Sequence, residues 1–341
     1  MSSHTIIYLD QNYLSNMVKA RAGSIADAYE TKFWLSLFDD LKKAVLADKI
    51  ACPESEFHLT ETKYDKRLEE PIIEIINILS GGLQLLPWRS ILESQIEDAA
   101  RQFLGMLPEK RESWAIAFVS NPKNIQDIKN TRIINYVHPT LTNDDIEYDR
   151  QLKLGFNEEA QKMLEDYSSK PLEWPKLLQE SKMSLIDGFV GQFAEQSYKE
   201  KIKGDYPLED KLIAIRNYKQ FMDFWDRIHQ IGINPKDYDM VNSFVRSKEL
   251  LDSPFIDINA SIQAVIAERF IQGRKPKKGD FYDVPILSSI LPYCDIVTTD
   301  RFMKEVLINK LHFDKKYKTR IFSATESDRL DFQELIRQLI N

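Results

Sequence analysis

Ile6-Ile7-Tyr8-Leu9 runs without interruption into Asp10, and no other stretch limits the possible folds as strongly. A short, unbroken apolar run with β-branched residues suits a strand buried on both faces, the kind found in parallel α/β sheets. Ligands of open parallel sheets sit just beyond the carboxyl ends of the strands. Asp10 would stand at that edge, with Asn12 beside it and a run through Ser15 that can turn helical. One carboxylate makes no site. The remaining chain must therefore bring partners to the same edge if the edge is to act.

Downstream, Phe33, Leu37, Leu41 and Val45 fall at helical spacing within 27–48, with Ser24 or Asp27 available as a cap. Lys49–Pro53 reads as a second short strand. Ser55 is a good N-cap for a helix running to about Leu79, which places His58 and Glu61 three apart on one face near its start. Leu83–Pro87 reads as a third short strand. The far end of the chain returns to the same character. Residues 257–272 are amphipathic, and the basic loop Gly273–Gly279 follows. A helix carrying Asp283, with Pro285 in its first turn, leads into a strand Cys294–Val297 that closes on Thr298-Thr299-Asp300. A helix to Lys310, a strand at Arg320–Phe322 and a terminal helix over 328–340 complete it.

Between Trp88 and about Pro254 the chain is polar, charged and helical in period. Apolar residues recur at spacings of three and four over 95–104, 145–167, 174–201, 208–230 and 237–251. Trp174, Phe221, Phe224 and Trp225 read as core aromatics. No fixed-period repeat and no βα alternation is visible. The expected organisation is one α/β domain, a parallel sheet flanked by helices, built from residues 1–87 and 257–341 and interrupted by an all-helical insertion over 88–256.

Asp10 and Asp300 each end an expected strand, Glu61 lies in the helix after the second strand, and Asp283 in the helix before the Asp300 strand. In a parallel sheet all four can meet at the carboxyl edge. Carboxylates packed together raise one another's pKa unless a cation neutralises them. Oxygen-only clusters suit Mg²⁺ or Mn²⁺, which can lower the pKa of a water and stabilise both oxygens of an in-line phosphodiester displacement. Each acid also has a plainer reading. Asp10 and Asp300 can cap the helices that follow them; Glu54 and Glu56 compete with Glu61 as first-turn acids; Asp280 competes with Asp283, the loser being an N-cap; Asp295 reads as structural. Asn12 can orient Asp10 or cap. His58 can bind phosphate, move a proton or bond Glu61, or it can simply be structural.

The chain carries a formal net charge of −7 over 341 residues. A protein that binds by broad phosphate neutralisation is usually basic, so nucleic-acid chemistry here would rest on a metal cluster and a local basic patch. Arg274, Lys275, Lys277 and Lys278, just before Asp283, could steer a phosphate backbone. No apolar run approaches the roughly 20 residues of a membrane span. No leader-like segment opens the sequence, and Cys52 and Cys294 are too few for a disulfide framework and read as buried thiols. A cytoplasmic protein is expected.

Ile6–Ser15, Pro53–Glu61, and Asp283 through Pro292-Tyr293-Cys294-Asp295 to Thr299-Asp300 together resemble the PIN-like nuclease superfamily. In that family an Asp ends strand one, a Glu lies on an early helix, an Asp opens a later helix, and an Asp follows a strand in a T-D or T-N-D context. The matching positions are Asp10, Glu61, Asp283 and Asp300. The resemblance covers about 1–87 and 257–341, and the long helical middle departs from the minimal domain. It implies a metal-dependent ribonuclease, less often a deoxyribonuclease or an inactive member, and many bacterial members serve as toxins or defence effectors. Two rival readings stand beside it. An aspartyl phosphohydrolase wants a D-x-D pair, but Asn12 occupies the second place and cannot protonate a leaving group; a Gly-rich phosphate loop is also missing. A catalytically degenerate module, whose helical region binds a partner protein, is the non-enzymatic alternative.

Overall fold

The computed structural model describes residues 5–62, 66–107, 117–120, 164–165, 173–190 and 193–340. The helix expected over 145–167 therefore lies outside them except at 164–165. In chain order the elements begin β1 (Thr5–Tyr8), α1 (Gln11–Arg21), α2 (Ala28–Leu46), β2 (Ile50–Ala51), α3 (Glu56–Thr62), α4 (Lys66–Leu79), β3 (Leu83–Leu85), α5 (Trp88–Phe103) and β4 (Phe118–Ser120). Then come α6 (Trp174–Val190), α7 (Phe193–Lys203), α8 (Leu208–Ile231), α9 (Tyr238–Val245), α10 (Lys248–Leu251) and α11 (Pro254–Ile271). The chain ends with α12 (Lys278–Ile290), β5 (Ile296–Thr299), α13 (Arg301–Glu305), a π-helical turn (Val306–Lys310), α14 (Phe313–Tyr317), β6 (Arg320–Ser323) and α15 (Glu326–Ile340).

Two compact units share the chain: residues 1–87, 112–165 and 277–341 form the first, and 88–111 and 166–276 the second. In the first, four parallel strands lie in the order β2-β1-β5-β6. The apolar run of β1 is buried as its composition requires, with Ile7 and Leu9 in the core. Helices cover the sheet through residues three and four apart: Tyr13, Leu14 and Met17 of α1, Phe33, Leu37 and Leu41 of α2, and Phe332 and Ile336 of α15. Each such side chain contributes roughly 1.5–3 kcal/mol on burial.

Of the two caps that the sequence offered α2, Asp27 serves, its carboxylate accepting the Glu30 N–H at 2.9 Å. Ion pairs then seam α2 to α15. Arg329 reaches both oxygens of Glu30 while its guanidinium stacks over Phe33 and Trp34, and Arg337 bonds Asp40 at 2.9 Å. Cys52 and Cys294 are buried free thiols.

Three local expectations are corrected. β3 does not join the parallel sheet; it pairs antiparallel with β4. A strand as short as β4 leaves no periodic trace, so the middle of the chain is not wholly helical. The helix expected from Ser55 to Leu79 is described as two, α3 and α4, with 63–65 between them outside the described residues. Pro285 lies inside α12 rather than in its first turn, because the helix already starts at Lys278.

The second unit is helical. Its core joins Leu92 and Ile96 of α5, Phe224, Trp225 and Ile228 of α8, and Phe255 and Ile256 of α11, among others. Phe221 packs against this core, while Trp174 is half-buried. Helix α11 is buried on nearly every side, as a helix apolar all round must be. It packs on α5 and α6, and Lys182 of α6 holds Asp257 of α11 at 2.9 Å. Residues 257–276 thus group with the helices, and the α/β unit resumes at Lys277 rather than at 257. No helix among the described residues is long and apolar enough to cross a membrane.

Candidate acidic site at the sheet edge

Strands β1 and β5 are adjacent and parallel, with Ile7 opposite Ile296 and Tyr8 opposite Val297. Carrying that register two steps further sets Asp10 opposite Thr299, beside Asp300. The two aspartates therefore leave the sheet at the same edge. Thr298, buried in β5, ties them: its hydroxyl oxygen accepts the Asp10 N–H at 2.7 Å and donates to the Tyr8 carbonyl at 3.4 Å. Each aspartate also caps the helix it precedes. Asp10 Oδ2 accepts from the Asn12 side-chain amide at 2.8 Å and the Asn12 N–H at 3.4 Å, and Asp300 Oδ1 accepts the Met303 N–H at 2.7 Å. The capping reading of both is thus correct as far as it goes. It engages only one oxygen of Asp300.

Helix α3 brings the third acid. Ser55 Oγ accepts the His58 N–H at 3.2 Å, which fixes the first turn. Of the competing glutamates, Glu54 accepts from the Gln84 amide at 3.1 Å, and Glu56 lies in the first turn of α3. Glu61, one turn on and half-buried, is the one whose charge acts on Tyr8 and Asp283.

Asp280 and Asp283 divide their roles in the same way. Asp280 closes the start of α12, its carboxylate accepting the Lys277 N–H at 2.9 Å. Asp283, a turn further in, takes no hydrogen bond or ion pair among the described residues. Burial pushes its carboxyl well above the usual range, and the charges of Asp10, Asp300, Glu61 and Asp280 push the same way. Burial likewise raises Asp10; its bonds to Asn12 and Gln11 oppose this, and the charge of Asp300 adds to it. Asp283 is therefore within the fields of the other three expected acids, and Asp10 within that of Asp300.

His58 is placed differently from the expectation of a phosphate ligand or proton carrier. Its ring is 3 % exposed, stacks on Tyr8 with centroids 4.9 Å apart, and turns Nε2 to the Leu9 carbonyl at 2.8 Å. Nδ1 is buried without a partner among the described residues. Burial, only partly opposed by the Leu9 bond, lowers its pKa to about 4, so the imidazole is neutral and Nε2–H donates. The basic loop straddles the two units, Arg274 and Lys275 belonging to the second and Lys277 to the first. Lys277 and Lys275 are exposed, and the Lys278 side chain lies outside what is described. Thr298 and Tyr8 escaped the sequence reading, although a threonine two positions before the strand-closing Asp300 is a polar residue inside an apolar run.

Chemically, the four acids offer oxygen donors, in a partly buried setting where neighbouring carboxylates raise the pKa of Asp10 and Asp283. That is the condition a hard divalent cation relieves. No three His, Cys, Asp or Glu side chains among the described residues stand as a ready set of ion ligands. Compared with protein-family models, curated protein sequences and solved structures, the chain matches none.

Proposed function

We propose that this chain is a metal-dependent endonuclease of PIN-like type, with RNA as the favoured substrate. The observation that supports the reading is the buried Asp283 carboxyl, which takes no hydrogen bond or ion pair among the described residues and lies in the field of Asp10, Asp300 and Glu61 at the edge of a parallel sheet. Asp10, Glu61, Asp283 and Asp300 would hold one or two Mg²⁺ or Mn²⁺ ions. Such ions supply Lewis acidity, a lowered pKa for an attacking water, and charge stabilisation at the scissile phosphate. Asn12 orients the Asp10 carboxylate through its amide. Arg274, Lys275, Lys277 and Lys278 are the candidate contacts for the phosphate backbone.

Purified protein with Mn²⁺ is expected to cut single-stranded RNA, and Asp10→Asn or Asp300→Asn to lower the rate by roughly 100-fold or more. Wild-type rates in both variants would sink the assignment. One observation favours the non-enzymatic alternative, a degenerate PIN-like module holding a protein through its helical unit: Leu208, Leu212, Ile215 and Met222 are exposed at helical spacing along α8. RNA cleavage that survives purification and disappears in the Asp10 variant separates the two.

A further inference from the structure

Two buried polar side chains grip the end of β1 from opposite sides. From α3, His58 donates Nε2–H to the Leu9 carbonyl at 2.8 Å. From β5, Thr298 accepts the Asp10 N–H at 2.7 Å and bonds the Tyr8 carbonyl. The three consecutive residues Tyr8, Leu9 and Asp10 thereby each take a side-chain bond, at the point where β1 stops. The peptide unit that joins Leu9 to Asp10, just before the Asp10 α-carbon, is pinned at its carbonyl to the helix that carries Glu61 and at its N–H to the strand that Asp300 follows.

A core-filling role does not explain the histidine. Its Nδ1 is buried without a partner among the described residues, a loss that an apolar side chain in the same place would avoid. Stacking on Tyr8 would be served as well by another flat ring. What an apolar or phenyl ring cannot supply is the donor to Leu9.

We propose that His58 is a positioning residue that, with Thr298, sets the spacing of Asp10 from Glu61 and Asp300. This rests on the metal-site reading above. Groups that orient ligands without touching the ion typically change metal affinity by about 10- to 100-fold when removed. The deeper role of His58 is thus geometric. It touches neither substrate nor ion.

The test is calorimetric titration of Mn²⁺ into wild type, His58→Leu, His58→Gln and Thr298→Val, with melting temperatures alongside. His58→Leu keeps an apolar filler and removes the donor; His58→Gln restores an N–H near the position of Nε2; Thr298→Val preserves strand shape and removes the hydroxyl. Expected are a roughly tenfold or greater weakening in His58→Leu and Thr298→Val and recovery to within about threefold in His58→Gln, with wild type and His58→Gln melting alike. Wild-type affinity in His58→Leu and Thr298→Val overturns the clamp and leaves the metal site standing. No Mn²⁺ uptake by wild type overturns both. Should His58→Leu fail to fold, Thr298→Val decides: unchanged affinity there overturns the proposal, and weakened affinity supports it.

Discussion

The seam between α2 and α15 and the carboxyl edge of the sheet treat charge in opposite ways. Along the seam, Glu30 is matched by Arg329 and Asp40 by Arg337, and next to β6 Asp328 is matched by Lys304. The Arg329 hydrogen bond holds the Glu30 carboxyl below its usual range. Burial pushes Asp328 up, but its bonds to Lys304 and Ser323 more than offset this and leave it lowered. At the edge the balance reverses: burial raises Asp10 and Asp283, and neighbouring carboxylates raise them further. Within one unit, carboxylates are matched by cations along the seam and raise one another's pKa at the edge. Uncompensated charge of that kind is carried at functional sites and made tolerable by the rest of the fold.

His58 gives the largest expected effect and sharpens the contrast, since it lies at the edge yet serves the fold. Its folded pKa of about 4 lies below the ordinary 6.5, so the unfolded chain takes up a proton that the folded one resists. Its contribution is full above pH 6.5 and is lost as pH falls toward 4, in total about 3 kcal/mol at roughly 1.4 kcal/mol per pKa unit. Asp10 and Asp283 act the other way: their penalty is present above their raised pKa values and is relieved as pH falls through them. Comparison with His58→Gln isolates the histidine: from pH 7 to pH 4 wild type should lose about that much urea-unfolding free energy relative to the variant. A constant difference would show that the ring takes up its proton as readily in the folded state as in the unfolded one.

Next in size, Arg329→Met should cost about 2 kcal/mol, a broken-pair penalty discounted for the partial exposure of Glu30, while Mn²⁺-dependent cleavage at 25 °C stays near wild type. Loss of cleavage in a folded Arg329→Met protein would mean that seam and edge are not separable. The smallest effect has the opposite sign. Asp283→Asn should raise stability without metal by about 1 kcal/mol, the size usual for relief of an active-site penalty, and abolish cleavage. Destabilisation would erase the contrast.

Strand ends were the most legible part of the sequence. The apolar runs before Asp10 and Asp300 declare both strands, and parallel pairing then forces both acids to one edge. Capping chemistry was legible at Asp27 and Ser55, because a side-chain oxygen before a periodic run has few other uses. Glu54 and Asp280 are engaged by the Gln84 amide and the Lys277 N–H, and the second of these is the N-terminal closing role that the sequence offered to one of Asp280 and Asp283. The direction of His58 was not legible. Its spacing from Glu61 suggested a shared face, but where the ring turns depends on Leu9, 49 positions away along the chain. β4 was invisible for the same kind of reason: three residues acquire strand geometry only through β3. The packing of α11 with the second unit also depended on distant partners that no local pattern names.

The central claim is that the charge left uncompensated on Asp283 awaits a divalent cation, and thermal melting tests it most directly. Wild type melted in excess Mn²⁺ should gain several degrees over the same protein in chelator, since an ion bound only by the folded state stabilises it by mass action, whereas Asp283→Asn should gain little. Equal melting temperatures for wild type with and without Mn²⁺ would contradict the account.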